Sequence, residues 1–82
     1  MVDTIDNSRI VIECAADVYQ VDESTITLDT DVREELSNQS LLLVAFISAI
    51  EDETGIIIDL SEAGQLKTIR DFVDKVKKLG AA

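Results

Sequence analysis

The feature that most constrains the fold of this chain is an apolar repeat of helical period, which occurs three times in 82 residues without a proline. In the middle copy, four apolar side chains recur at i, i+3, i+4 and i+7: Leu43, Phe46, Ile47 and Ile50. This spacing places them on one face of a helix. Ser40 precedes the pattern and Gly55, a common helix terminator, follows it. The sequence therefore predicts a helix over 40–54.

Two further helices flank the middle one. The first is predicted from about Thr4 to Gln20, with capping and first-turn charge from Asp3, Asp6 and Asn7. Its apolar stripe consists of Val11, Cys14, Ala15 and Val18. The last helix is predicted to be capped at its start by Thr68, where Asp71 at N3 makes an imperfect capping box, and to end at Gly80. Its stripe consists of Ile69, Phe72, Val73, Val76 and Leu79.

The segments between these helices predict one long loop and one short helix. Residues 21–39 lack helical periodicity and are rich in turn formers, and we expect four apolar side chains to hold this loop on the core: Val21, Ile26, Leu28 and Val32. After Gly55, Ile58 is expected to be buried in a connector, and Asp59 or Ser61 to cap a short helix that ends near Gln65. The chain is thus predicted to be an all-α four-helix bundle with a long first loop and a short third helix, and 1–82 to be a single domain.

Charge and residue usage limit the function. Seventeen acids against seven bases give a net charge of −10, which opposes binding to nucleic acid or anionic membranes and favours partners with basic surfaces. The chain has no histidine, the usual neutral-pH base, and its single cysteine, Cys14, excludes an internal disulfide and a zinc set. Asp29 and Asp31 lack the glycine and glutamate of a calcium loop, so no metal site is predicted. No catalytic residue is assigned.

The same survey bears on location and assembly. The first residues are acidic and do not resemble a signal peptide, and no apolar run approaches the roughly 20 residues of a membrane span. We therefore expect a cytoplasmic protein without membrane insertion. A monomer is expected.

Ser40 is the residue on which the functional interpretation depends. A serine at a helix start can cap free backbone N–H groups, and its oxygen can also carry a phosphate, because helix N-termini stabilise anions. A catalytic serine would need a base within reach, and Lys67 is the nearest lysine downstream. The pattern by itself favours a cap.

The stretch Glu-Leu-Ser-Asn-Gln-Ser-Leu at 35–41 resembles the signature of the acyl carrier protein family, in which an acid-leucine pair precedes a turn and then Asp-Ser-Leu. Ile-Glu-Asp-Glu-Thr-Gly-Ile at 50–56 and Leu-Lys-Thr-Ile-Arg-Asp-Phe-Val at 66–73 are similar to later parts of the family pattern. The resemblance implies that Ser40 is esterified to 4′-phosphopantetheine, transferred from coenzyme A by a phosphopantetheinyl transferase with magnesium. It also implies carriage of acyl thioesters and no enzymatic activity.

The resemblance further implies partners and a docking face. The partners would be acyl-transferring and synthase enzymes with basic docking surfaces, in fatty-acid, polyketide or related biosynthesis. The expected docking residues lie on the second helix: Leu41, Leu42, Ala45, Ser48, Glu51 and Asp52. Gln39 stands where the family usually has aspartate, and Leu42 and Ala45 stand where fatty-acid carriers are typically acidic. These departures indicate a specialised rather than a housekeeping carrier.

Two alternatives remain open at this point. The chain could be an unmodified helical module that binds a protein partner through Leu41 and Leu42, with Ser40 as an ordinary helix cap. It could also be a carrier of amino acids or peptides instead of acyl chains. The first alternative predicts that a partner binds without any prosthetic group.

Overall fold

Four α-helices form the part of the chain that the computed structural model describes, residues 7–80. Their bounds are α1, Asn7–Tyr19; α2, Ser40–Thr54; α3, Leu60–Ala63; and α4, Ile69–Gly80. Between residues 7 and 80 there is no β-strand, only an isolated bridge between Asp31 and Thr68. The predicted all-α bundle with a long first loop and a short third helix is confirmed. The expected start at Thr4 and caps at Asp3 and Asp6 lie outside the described residues.

The C-terminus of α1 differs slightly from the prediction. Gln20, which was expected to be helical, has a φ of +58° in the left-handed region. The N–H of Val21 donates to the carbonyl of Ala16 at 3.1 Å, which is the bond that closes a helix end of this kind. α1 therefore ends at Tyr19. Glycine is the usual residue at such a position, so periodicity alone did not indicate this end.

The core lies where α1 packs against both α2 and α4. Phe46 of α2 is completely buried at its centre. Its ring meets Tyr19 of α1 edge-on at a centroid distance of 5.8 Å and Phe72 of α4 at 4.9 Å. Such aromatic pairs contribute roughly 0.5–1.5 kcal/mol beyond their burial. One aromatic side chain from each long helix thus joins the three.

Leu79 was predicted to belong to the buried stripe of α4, and this prediction is wrong. Val76 is fully buried, but Leu79 is 41% exposed. Both i+3 and i+4 can continue a helical stripe, and here the position after Val76 that faces the Ile56 side chain is Gly80. A Cβ at Gly80 would lie 2.9 Å from Ile56, so Ile56 occupies the space that a larger side chain would need.

The long first loop contains two short helical turns that the sequence did not predict. Glu23–Thr25 forms a 3₁₀ turn, and Val32–Leu36 forms a single wide turn closed by a bond from Ser37 N to Val32 O at 3.0 Å. As expected, Ile26 and Val32 are buried. Val21 and Leu28 are half-buried against the same core.

Backbone hydrogen bonds attach the end of the long loop to the segment before α4. Val32 N donates to Lys67 O at 2.8 Å, and Ile69 N donates to Thr30 O at 3.0 Å. The buried Thr30 side chain also accepts a bond from Thr27 N at 2.8 Å. These bonds fix the long loop at Thr30 and Val32, where the turn Val32–Leu36 that precedes α2 begins.

The second half of the chain follows its local signals closely. Asp59 caps α3 through Ser61 N, but α3 ends at Ala63, two residues before the predicted end at Gln65. At α4, the predicted capping box is confirmed. Asp71 N donates to Thr68 Oγ1, and Thr68 N donates to Asp71 Oδ2, both at 3.2 Å.

Candidate functional site

Ser40 is the first residue of α2, and it is not the cap. The cap position belongs to Gln39, which has extended backbone angles and whose side chain makes no capping bond. The Gln39 carbonyl accepts from Leu42 N at 3.2 Å and from Leu43 N at 3.3 Å. The expectation from pattern alone, that Ser40 caps the helix, is therefore wrong. The carbonyl of Gln39 accepts the hydrogen bonds of the first turn, and the Ser40 side chain makes no capping bond.

The Ser40 hydroxyl is exposed to solvent and has no hydrogen-bond partner within residues 7–80. The N–H groups of Ser40 and Leu41 likewise have no acceptor in that part of the chain. No acidic residue lies in the first turn of α2. Free N–H groups and the helix dipole favour an anion at this end by roughly 0.3–1 kcal/mol. The site suits a phosphate ester on the Ser40 oxygen.

The turn before α2 is held by carboxylates. Asp31 accepts from Arg33 N and Glu34 N at 3.0 and 2.9 Å, and Glu35 accepts from Asp31 N at 2.8 Å. Two of the acids nearest to Ser40 in sequence are therefore engaged with the backbone of their own turn. Ser37 Oγ then accepts from Gln39 N at 3.1 Å. These local hydrogen bonds fix the backbone of residues 31–39 and thereby the position of Ser40 at the end of the loop.

Arg33 makes long-range hydrogen bonds that the sequence did not predict. Its guanidinium donates to the carbonyls of Gly64 at 2.7 Å and Leu66 at 3.3 Å. These acceptors follow α3, more than 30 residues away along the chain. A single exposed-looking arginine in an acidic loop carried no sequence signal for this contact. It connects the loop before Ser40 to the segment between α3 and α4.

The predicted docking residues lie on α2, and five of the six are exposed: Leu41, Ala45, Ser48, Glu51 and Asp52. Leu41 is the most prominent, with 81% of its surface exposed. Leu42 is half-buried and packs against the core instead. Val44, 42% exposed, was missed, although its i+3 spacing from Leu41 would have indicated the same face. That these residues contact a partner stays a prediction.

An open acidic groove of about 740 Å³ lies between α1, the start of the long loop and the C-terminal end of α2. Its carboxylates are Glu13, Asp17, Asp22, Glu23, Asp52 and Glu53. Cys14 also lines it, and its buried position confirms the expectation of a small core residue. The groove is at the end of α2 opposite Ser40.

Two further features concern metals and membranes. The described residues contain no group of three or more histidine, cysteine or acidic side chains arranged to hold a metal ion. Asp29, part of the faint calcium-like stretch, pairs with Arg70 at 2.9 Å. None of the helices within residues 7–80 has the length and apolar character needed to cross a membrane. A cytoplasmic location stays a prediction.

Comparisons with known proteins bear directly on this site. A family described as the phosphopantetheine attachment site matches residues 9–76. The acyl carrier protein of Lactobacillus acidophilus is 40% identical over 62 residues, which cover 76% of this chain and 78% of that protein. The acyl carrier protein of Rickettsia canadensis is 40% identical over 68 residues, 83% of this chain and 79% of that protein. The acyl carrier protein of Treponema pallidum (strain Nichols) is 37% identical over 62 residues, which cover 76% of this chain and 80% of that protein.

The family match extends over most of the helices described above and includes the start of α2. These comparisons support 4′-phosphopantetheine as the cofactor, a general interaction with a phosphopantetheinyl transferase and synthases, and a role as a carrier without catalytic activity. The chain belongs to the phosphopantetheine-attachment family, as a non-enzymatic carrier related to the acyl carrier proteins.

Proposed function

We propose that this chain carries acyl intermediates as thioesters on a 4′-phosphopantetheine arm attached to Ser40, and that 1–82 acts as one carrier domain in the cytoplasm. The observation that carries the proposal is the exposed, unbonded Ser40 hydroxyl at the first residue of α2. Ser40 lies within the segment that matches the attachment-site family.

Attachment requires the Ser40 oxygen to act as a nucleophile toward coenzyme A. A bond forms between Ser40 Oγ and the phosphorus on the pantetheine side of the diphosphate, the diphosphate P–O bond breaks, and adenosine 3′,5′-bisphosphate leaves. The hydroxyl proton passes to a base on the transferase, because no side chain within residues 7–80 hydrogen-bonds the Ser40 hydroxyl. This chain supplies the exposed hydroxyl and the N–H groups of the first turn, which stabilise the resulting phosphodiester anion.

The exposed face of α2 supports a partner surface of mixed chemistry. Near Ser40 it is apolar, with Leu41, Val44 and Ala45 exposed. Ten and eleven residues after Leu41, about 15–16 Å along the helix, it becomes acidic at Glu51 and Asp52. We propose that partner enzymes of fatty-acid, polyketide or related biosynthesis place an apolar patch near Ser40 and a basic side chain at the acidic end. This division fits a specialised carrier.

Modification is tested by intact mass after incubation with coenzyme A, magnesium and a promiscuous phosphopantetheinyl transferase. The wild-type chain should gain one phosphopantetheine, and Ser40→Ala should gain none. Ser37→Ala is the matched control, since Ser37 is the neighbouring serine and should leave the gain intact. A wild-type chain that several transferases leave unmodified, or a gain that survives in Ser40→Ala, would refute the assignment.

Docking is tested with two leucines of similar chemistry on different helices. Leu41→Asp should weaken binding to a cognate synthase by about tenfold or more, because it places a charge in an apolar contact. Leu79→Asp on α4 is the matched control and should bind as the wild type does. Equal loss in both variants would point to a general charge effect and against α2 as the docking face.

The two alternatives give different outcomes in the same assays. If the chain is an unmodified interaction module, Ser40→Ala should bind the partner as well as the wild type does. An aminoacyl or peptidyl carrier would be modified at Ser40 but would accept its cargo from an enzyme that activates amino acids. The acyl proposal requires transfer from acyl-activating or acyl-transferring enzymes.

A further inference from the structure

The acidic groove at the end of α2 opposite Ser40 combines an apolar floor with a rim of carboxylates. The floor consists of buried and half-buried side chains: Ile10, Cys14, Ala16, Val21 and Ala49. The rim consists of six exposed acids: Glu13, Asp17, Asp22, Glu23, Asp52 and Glu53. No lysine or arginine of residues 7–80 lines this groove. It therefore offers apolar contact area together with negative charge that no base in its lining neutralises.

Most of the rim carboxylates have no partner. Glu13 pairs with Arg9 at 3.1 Å, and Asp22 accepts from Ser24 N at 3.0 Å. The other four make no hydrogen bond or ion pair within residues 7–80: Asp17, Glu23, Asp52 and Glu53. Three of these four lie in the last turns of α1 and α2, which contain no basic residue, and the helix dipole disfavours acids there. The free protein thus holds mutually repelling charges at this groove, and a cationic partner would offset them.

The dimensions of the groove suit an extended ligand better than a single ion. Along α1 it runs from Ile10 to Asp17, about 10 Å of helix. Its carboxylates do not converge on one point, since the described residues hold no group of three or more histidine, cysteine or acidic side chains that could bind a metal ion. An amphipathic helix in a groove presents apolar side chains at i, i+3, i+4 and i+7, a span of roughly 11 Å. The groove matches two turns of such a helix.

We propose that the acidic groove is a second docking surface and that it binds a basic amphipathic helix of a partner protein. Apolar side chains of that helix would lie on the floor, and its lysines and arginines would pair with the rim. Ala49 is the groove residue of α2 nearest to Ser40, and it lies about 14 Å further along that helix. A partner bound here leaves the start of α2 free. The inference goes beyond the proposed function, because it needs no group on Ser40.

The test titrates isotope-labelled protein with a synthetic peptide of leucine and lysine, about 14 residues long, with the leucines on one helical face. Amide shift changes should concentrate on the groove. Asp17→Asn/Glu53→Gln should weaken binding about tenfold, because each exposed ion pair contributes up to roughly fivefold. The matched control is Glu34→Gln/Asp74→Asn, which removes the same charge from exposed acids outside the groove and should change affinity less than about twofold. Equal losses in the two variants would overturn the inference.

Two other ligands distinguish a helix-binding groove from general attraction of cations. A peptide of the same composition, shuffled so that its leucines no longer share a face, should bind about tenfold more weakly, since it cannot place them together on the floor. Equal affinity for the shuffled peptide would overturn the proposal. Spermine, a small polycation, should also bind weakly. Spermine binding as tight as that of the amphipathic peptide would assign the groove to small cations instead of a partner helix.

Stability and modification are checked separately. Asp17→Asn/Glu53→Gln should unfold at the same temperature as the wild type or higher, because it removes unpaired charges from two helix C-termini. A clear decrease in Tm would show that these carboxylates already have stabilising partners and would overturn the inference. Ser40→Ala should bind the amphipathic peptide as the wild type does. A chain that transferases leave unmodified therefore refutes the proposed function alone, whereas peptide binding that depends on Ser40 refutes the second docking surface.

Discussion

Cys14 is expected to react with thiol reagents about a hundredfold more slowly in the folded protein than in the unfolded chain near pH 8. Its side chain is buried in the wall of the acidic groove, with 5% of its surface exposed. Burial, together with the negative charges of Glu53 and Glu13, raises the pKa of the thiol from 9.0 to about 11. The thiolate is the reactive species, so this increase directly lowers the rate.

The magnitude follows from the two pKa values. At pH 8 a thiol of pKa 9.0 is about 10% ionised and one of pKa about 11 is about 0.1% ionised, a ratio of about 100. Restricted access to the buried sulfur slows the reaction further. The consequence for function is that the thiol of an attached phosphopantetheine arm would be the one fast-reacting thiol, so thioester exchange with Cys14 would not compete with cargo transfer.

The assay is alkylation by iodoacetamide, followed by intact mass, in buffer and in guanidinium chloride over pH 7–10. Cys14→Ala provides the zero-reaction control in the apo form. When both proteins carry the phosphopantetheine arm, the thiol of the arm should be alkylated at the same fast rate in Cys14→Ala as in the wild type. Native alkylation at a rate close to that of the unfolded chain, or a rate that titrates with an apparent pKa near 9, would refute the reasoning.

Other predictions concern stability. Gly55, the α2 terminator at φ +74°, has nothing within 4 Å of an added Cβ. Gly55→Ala should therefore cost about 1 kcal/mol from the backbone alone, a fall in Tm of about 4–8 °C. Gly64 has right-handed backbone angles, and a Cβ there would make only ordinary contacts. Gly64→Ala should therefore be neutral or stabilising by up to about 1 kcal/mol. Equal changes in Tm for Gly55→Ala and Gly64→Ala would contradict this account. Bonds from backbone N–H groups lower the pKa values of Asp22, Asp59 and Asp71 below 3.8. Their stabilisation is therefore complete above that pH and is lost as the pH falls through and below it. Urea midpoints should therefore decrease as the pH falls from about 4 to 2, and less steeply in Asp71→Asn.

Local signals made much of the fold predictable. The three long helices follow from apolar stripes whose spacing is visible in the sequence, since an amphipathic helix must bury its apolar face. The capping box at the start of α4 was also predictable, because Thr68 and Asp71 are three residues apart and bond to each other. At the other end of that helix the same spacing allowed either Leu79 or Gly80 to face inward. Packing against Ile56 decided between them.

The candidate site divides in the same way. Its location at the start of α2 was evident from sequence, because Ser40 precedes a strong helical pattern and stands in a family signature. The state of its side chain was not, since a serine can cap a helix or leave the cap to the residue before it. The structure assigns the cap to Gln39 and leaves the Ser40 hydroxyl exposed.

The sequence by itself determined the helices, the acidity and the attachment family, since these depend on periodicity, composition and short motifs. The tertiary structure alone decided that Arg33 reaches carbonyls beyond α3 and that the Tyr19 hydroxyl is buried without a partner against Phe46. Both are contacts between residues far apart in the chain, and their geometry exists only after the helices have packed. Neither residue has a local pattern that reports what lies opposite it.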